Sequence, residues 1–227
     1  MRITFLGHAC FLLESSAGRV LIDPFLTGNP KAAWPASQVE ADAILLTHGH
    51  EDHVGDTVSL ARRLNIPVVA VAELATLLGW EGLNTCAQHI GGEHDYPFGR
   101  VKFTSATHGG GRMDEARHEV VYCGPAAGIL YRAEGKTVYH LGDTGLTSDM
   151  ALIGRHGVDV ALVPIGGNYT MNGEDAAEAV RMIRPDCVVP MHYDTWPVIA
   201  ADPQAFAAAV GETARVVVLE PGGVLSV

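Results

Sequence analysis

Residues 43–64 constrain this chain more than any other stretch. Ala43 to Leu46 is a short apolar run of the kind that forms a buried strand. Val54, Val58, Leu60, Ala61 and Leu64 then recur at helical spacing up to the break before Pro67. Between the two lies Thr47-His48-Gly49-His50-Glu51-Asp52-His53. Imidazole nitrogen and carboxylate oxygen are the donors that borderline divalent ions such as zinc prefer. His48 and His50 project from a loop, while Asp52 and His53 begin the helix at a different angle, so one short segment can face two metals. The bland alternative is a polar loop whose histidines fall together by chance.

Three further strands run into side chains of the same type. Val101 to Ala106 leads to His108, Val138 to Leu141 to Asp143, and Val188 to Pro190 to His192. In α/β sheets ligands collect beyond the carboxyl ends of strands, where residues distant in sequence converge. Taken singly, His108 before Gly109-Gly110-Gly111 has a loop histidine as its lesser alternative. Asp143 in Gly142-Asp143-Thr144-Gly145 has a turn or helix cap as its lesser alternative. Four such strand ends argue together for one metal site.

The rest of the chain mixes patterns. Short strands open it (Ile3 to Leu6, Cys10 to Leu13, Val20 to Ile22), and a loop punctuated by glycine and proline follows from Asp23 to Pro30. Strands dominate residues 84–142. Beyond them helical patterns at Ser148 to His156, Glu174 to Ile183 and Pro203 to Val210 alternate with strands at Val160 to Pro164, Cys187 to Pro190 and Arg215 to Leu219. With no linker, low-complexity tract or readable repeat, the expectation is one α/β layered domain over residues 1–227.

Composition limits the partners. The formal charge is -11, with 26 acidic against 15 basic residues, and no Lys/Arg cluster offers the footprint that nucleic-acid backbones or anionic membranes require. Cys10, Cys86, Cys123 and Cys187 are widely spaced and form no C-x-x-C pair, which suits neither a zinc ribbon nor a disulfide framework. A cytoplasmic protein without signal peptide or membrane span is expected; composition leaves a homo-oligomer open.

The ordered set His48-x-His50-x-Asp52-His53, His108, Asp143, His192 resembles the metal-ligand order of the metallo-β-lactamase superfamily. Within it, the segments Pro24 to Pro30, Pro164 to Met171 and Met191 to Pro197 resemble an uncharacterised metal-dependent hydrolase family related to ascorbate-phosphate lactonases. The resemblance spans nearly the whole chain. It implies an αββα sandwich of two mixed β-sheets flanked by helices, with metals at one edge. It further implies that His48, His50 and His108 hold a first metal, that Asp52, His53 and His192 hold a second, and that Asp143 bridges them. His8 matches a histidine near the family's active site, where it would polarise or protonate substrate; a packing role is the alternative. The sequence departs from the family at Gly109 to Gly111, where small hydroxyl residues are expected, and at Gly167, where an acidic one is.

The expected chemistry is hydrolysis of an ester, lactone or phosphoester of a small anionic substrate by a metal-bridged hydroxide, with Asp52 orienting the nucleophile. Two divalent ions with these ligands and one hydroxide leave a local charge of about +1, which favours anionic groups. Zinc suits the nitrogen-rich set best; manganese or ferrous iron also fits. Two rival readings remain: a phosphodiesterase or ribonuclease acting on nucleotides or RNA, and a metal-binding scaffold without activity. The loops at 23–35, 109–117 and 166–172 are expected to select substrate; Trp34 and Tyr169 are candidates for its entrance, with ordinary packing the favoured alternative for both. No H-E-x-x-H helix or G-x-S-x-G elbow is present.

Overall fold

A computed structural model describes all 227 residues. The chain opens with a meander, β1 (Arg2–Gly7), β2 (Cys10–Ser15) and β3 (Gly18–Ile22), then turns to parallel pairing at β4 (Ala43–Leu45). Helices α1 (Glu51–Val54) and α2 (Thr57–Leu64) precede β5 (Val68–Val71), and α3 (Ala72–Trp80) precedes β6 (Thr85–Gln88). The second half repeats this plan. Strands β7 (Glu93–Tyr96) and β8 (Gly99–Ser105) pair antiparallel, and an excursion through β9 (Gly111–Asp114) and β10 (Glu119–Tyr122) leads to β11 (Ala127–Ala133) and β12 (Lys136–His140). Then α4 (Asp149–Gly154), β13 (Val160–Pro164), α5 (Gly173–Ile183), β14 (Cys187–Met191), α6 (Pro203–Val210) and β15 (Arg215–Val216) alternate, and β16 (Val224–Ser226) returns to the first sheet.

The result is two seven-stranded mixed sheets, β16-β1-β2-β3-β4-β5-β6 and β15-β14-β13-β12-β11-β8-β7, with β9 and β10 as a separate hairpin. Each sheet is antiparallel in one half and parallel in the other, so the mixture of patterns in the sequence is built into both layers. Alternation along β13 shows how the layers meet. Val160 and Leu162 join the 45-residue core that lies largely between the sheets, while Ala161 and Val163 face the 18-residue cluster under α4, α5 and α6. Helices on the outer faces complete the expected αββα sandwich.

Some local readings shift. The helical pattern from Val54 to Leu64 is broken at Gly55, which has φ 40° and no room for a Cβ against the Pro24 carbonyl and Phe25. The final strand pattern, Arg215 to Leu219, pairs only over Arg215–Val216. The hairpin β9–β10 and strands β7 and β16 carry little apolar alternation and are not visible in the sequence. Trp34 packs against the larger core, which is the ordinary packing role weighed for it, and does not line the entrance. No helix is long and apolar enough to cross a membrane.

Candidate metal centre

Strands β1, β3, β4, β8, β12 and β14 all point their carboxyl ends at one edge of the sandwich, because each is parallel to its neighbour or two antiparallel steps from one that is. Beyond those ends stand His8, Asp23, His48, His108, Asp143 and His192; α1 adds Asp52 and His53, with His50 at its N-cap. Residues separated by up to 184 positions thus meet for a topological reason.

Three groups of donor atoms lie within 4.8 Å of one another: His48, His50 and His108; His48, His53 and Asp143; and Asp52, His53 and His192 with His8. Asp143 sits between them. Its Oδ1 is 3.3 Å from His53 Nε2, and its Oδ2 is 3.0 Å from His192 Nε2 and 3.5 Å from His108 Nε2. These approaches lack hydrogen-bond alignment, so His53 Nε2, Asp143 Oδ1 and both ring nitrogens of His192 are buried with no partner. Unpaired buried polar atoms cost on the order of 1–3 kcal/mol each. A divalent ion satisfies several at once, so the donor set fits the metals that the sequence implies.

Protonation is arranged to suit. Burial lowers the pKa of His48, His50 and His108, keeping them neutral with a lone pair to give. Burial disfavours the charged form of His53 too, but without an ion Asp143, Asp23 and Asp52 outweigh it and raise that pKa; an ion held at Nε2 would take the place of that proton. Burial likewise opposes ionisation of Asp52 and Asp143, yet the surrounding histidines hold both below the usual carboxylate range.

A second layer fixes the rings, and the sequence reading missed it. Asp23, fully buried, accepts from the Thr47 amide at 2.9 Å, the Thr47 hydroxyl at 2.6 Å and His53 Nδ1 at 2.7 Å. Since Thr47 donates to Asp23, its oxygen is left to accept from His48 Nδ1 at 3.0 Å. One carboxylate therefore sets the tautomer of both His48 and His53 and turns each Nε2 toward the cluster. The available signal was its place at the end of β3, a strand end like the others. Thr195, also missed, is 2.7 Å from His8 Nδ1. Burial lowers the pKa of His8 to about 4, so it is neutral; its single proton lies on Nε2, toward Asp52 Oδ2 at 3.2 Å, and Thr195 donates to Nδ1. His8 stands behind Asp52 and does not line the cavity over the cluster.

Other histidines stay outside. His140 donates from Nε2 to the Ala9 carbonyl and accepts the Gly142 amide at Nδ1, leaving no free nitrogen. Cys10 is buried among apolar side chains. Of the three glycines after His108, Gly110 has a packing reason: a Cβ there would meet the Gly124 carbonyl oxygen, and one on Gly49 would meet Cys123 and the Gly110 carbonyl oxygen. The two metal-facing loops are pressed together backbone to backbone.

A cavity of about 550 Å³ opens over the cluster, floored by His50, Asp52, His108, Asp143 and His192. Tyr169 and residues of the 109–117 loop line it as expected, whereas the 23–35 loop does not; Trp196 and Val198 stand in its place.

Comparison with known proteins agrees with this geometry. Residues 2–192 match the model of the β-lactamase superfamily domain. The UPF0173 metal-dependent hydrolase of Bacillus mycoides (strain KBAB4) is 55% identical over 207 residues, 91% of each chain, and that of Geobacillus sp. (strain WCH70) 54% identical over 92% of each. Igni18, a metallo hydrolase from the hyperthermophilic archaeon Ignicoccus hospitalis, superposes with a TM-score of 0.89 at 35% identity, covering 99% of this chain and 97% of its own. With the fold, the donor set and these likenesses in agreement, the chain belongs to the UPF0173 family of metal-dependent hydrolases within the metallo-β-lactamase superfamily.

Proposed function

We propose that this metal-dependent hydrolase is binuclear, that its ions are zinc, and that it cleaves an ester, lactone or phosphoester whose anionic charge sits at or develops on the reacting group. The observation that carries this reading is the set of buried, unpartnered ring nitrogens and carboxylate oxygen on the floor of an open cavity. In the proposal His48, His50 and His108 hold one ion, Asp52, His53 and His192 the other, and Asp143 both. Bound divalent ions supply a lowered pKa for coordinated water and polarisation of a carbonyl or phosphoryl oxygen.

The chain's own residues supply position and proton handling. Asp52 faces the cavity and is held ionised, so its oxygen can accept a hydrogen bond from the attacking water and orient it. His8 holds that carboxylate through Nε2 and is in turn held by Thr195. Because His8 is shielded from the cavity, it acts in this proposal as a positioning residue; water protonates the leaving group. The unit is the whole of residues 1–227, both sheets contributing donors.

The ribonuclease reading is disfavoured because no Lys or Arg lines the cavity. The scaffold reading is disfavoured by the open floor, since structural sites are closed by protein ligands. The test is metal content of the purified protein, then turnover of lactones, carboxyl esters and phosphodiesters with and without chelator. About two ions per chain and chelator-sensitive hydrolysis are expected. No turnover after reconstitution with zinc, manganese or ferrous iron would overturn the reading.

A further inference from the structure

The walls of the cavity differ in character from its floor. Trp196, Tyr169, Val198 and Met113 form an apolar and aromatic collar, and Glu51 and Glu115 are the charged side chains on its rim. Three of the four collar residues are more than half exposed: Tyr169 and Met113 at 54% and Val198 at 52%. Exposed apolar side chains scattered singly need no explanation, but here they converge on one mouth. They come from three separate segments, the β9 strand, the loop after β13 and the turn after β14. Trp196 is held in place, its ring 5.1 Å from His8 and 5.9 Å from Phe25 between centroids.

With two divalent ions bound as proposed, the floor would carry charge of the opposite sign to the rim. Neither nearby arginine lines the cavity: Arg112 pairs with Glu81 at 3.0 Å, and Arg117 points largely into solvent, 3.8 Å from Asp114. A substrate reaching outward from the metals therefore meets an apolar collar and two carboxylates, with no Lys or Arg among the lining side chains to receive a second negative charge.

We infer that the substrate is a small molecule with its reactive group at the metals and an apolar, uncharged or cationic remainder, and that Glu51 and Glu115 exclude substrates with a distal anion. The inference rests on the hydrolase reading and narrows it. Negative charge is accepted only at the reacting end. Sugar phosphates with a remote carboxylate, dinucleotides and RNA are turned away at the rim, while an alkyl, aryl or ammonium group is accepted by the collar.

The experiment uses the metal-loaded protein and matched substrates differing only at the far end: 4-nitrophenyl butanoate, 4-nitrophenyl hemisuccinate and 4-nitrophenyl 4-(trimethylammonio)butanoate. The comparison is made on kcat/KM, because non-productive binding of a carboxylate to the metals cancels in that ratio. The hemisuccinate is expected to be at least tenfold worse than the other two. In Glu51→Gln/Glu115→Gln that deficit shrinks by about fivefold, the size of one unit-charge contact near 4 Å in a water-like medium. It also shrinks with added salt. Lengthening the neutral ester from ethanoate to hexanoate raises kcat/KM by up to about fourfold per fully buried methylene, and Val198→Ser flattens the series. Hydrolysis with equal or better use of the hemisuccinate, or a deficit that ignores both the double variant and salt, overturns the inference and leaves the hydrolase reading standing. Should no ester turn over, calorimetric binding of the three corresponding anilides decides. Weakest binding of the anionic anilide, relieved in the double variant, supports the inference; equal or tighter binding overturns it.

Discussion

Asp23 Oδ2 accepts a 2.7 Å hydrogen bond from His53 Nδ1, and through Thr47 the same carboxylate also governs His48. Asp23→Asn keeps the volume but puts an amide where an acceptor is needed. Metal affinity is expected to fall by about 10- to 100-fold with the fold intact. Competition with a chromophoric chelator reads the affinity and circular dichroism reads the fold; unchanged affinity would refute the role.

His192→Ala and His108→Ala separate the two proposed ion positions. Each should retain about one ion per chain where the unaltered protein holds about two, and lose most activity. Mass spectrometry under native conditions counts the ions. Retention of both in either variant would remove that residue from the ligand set.

His8→Ala removes the hydrogen bond to Asp52 but no cavity wall. Turnover is expected to fall by about tenfold or more, and His8→Gln, whose amide nitrogen can reach the Nε2 position, should recover much of it. Recovery separates positioning from mere packing. Equal losses in both variants would contradict the assignment. Loss of an ion in His8→Ala would make His8 itself a ligand, consistent with its place among the donors.

Gly110→Ala and Gly109→Ala test the backbone packing of the metal loops. A Cβ at Gly110 collides with the Gly124 carbonyl, whereas one at Gly109 comes no nearer than 3.6 Å to the His50 ring. Urea unfolding should show a loss of about 1–3 kcal/mol for the first and little for the second. Equal effects would refute the close approach.

Away from the site, Asp159 accepts from Lys136 Nζ at 2.9 Å and from the Thr137 amide at 2.8 Å. Partial burial opposes its ionisation, but these contacts prevail and lower its pKa in the folded chain. A depressed folded pKa contributes stability above the unfolded value of about 3.9 and loses it as pH falls through the folded one. The gap in melting temperature between the native chain and Asp159→Asn, both metal-free, should therefore be widest near neutral pH and close below pH 4. A gap independent of pH would count against the pairing.

Much of the site was legible because strand ends and donor chemistry coincide. A buried apolar run followed by histidine or aspartate marked His48, His108, Asp143 and His192, and period-two alternation marked most strands. Asp23 escaped because Asp-Pro at a strand end reads as a turn, and its partners Thr47 and His53 lie 24 and 30 residues away. Thr195 escaped because its hydroxyl meets His8 across 187 positions. The hairpin that brings Met113 and Glu115 to the cavity was silent, since mostly exposed strands need no apolar alternation.

The sequence alone determined the donor types, their order and the layered α/β architecture, because these follow from side-chain chemistry and from the short-range periods of strand and helix. Tertiary structure decided what each donor faces. It put His8 behind Asp52, gave His48 and His53 a common carboxylate, and set an apolar collar with two acids over a cluster built for positive ions. Those relations depend on which loops two stacked sheets bring to one edge, and long-range juxtaposition leaves no local period in the sequence.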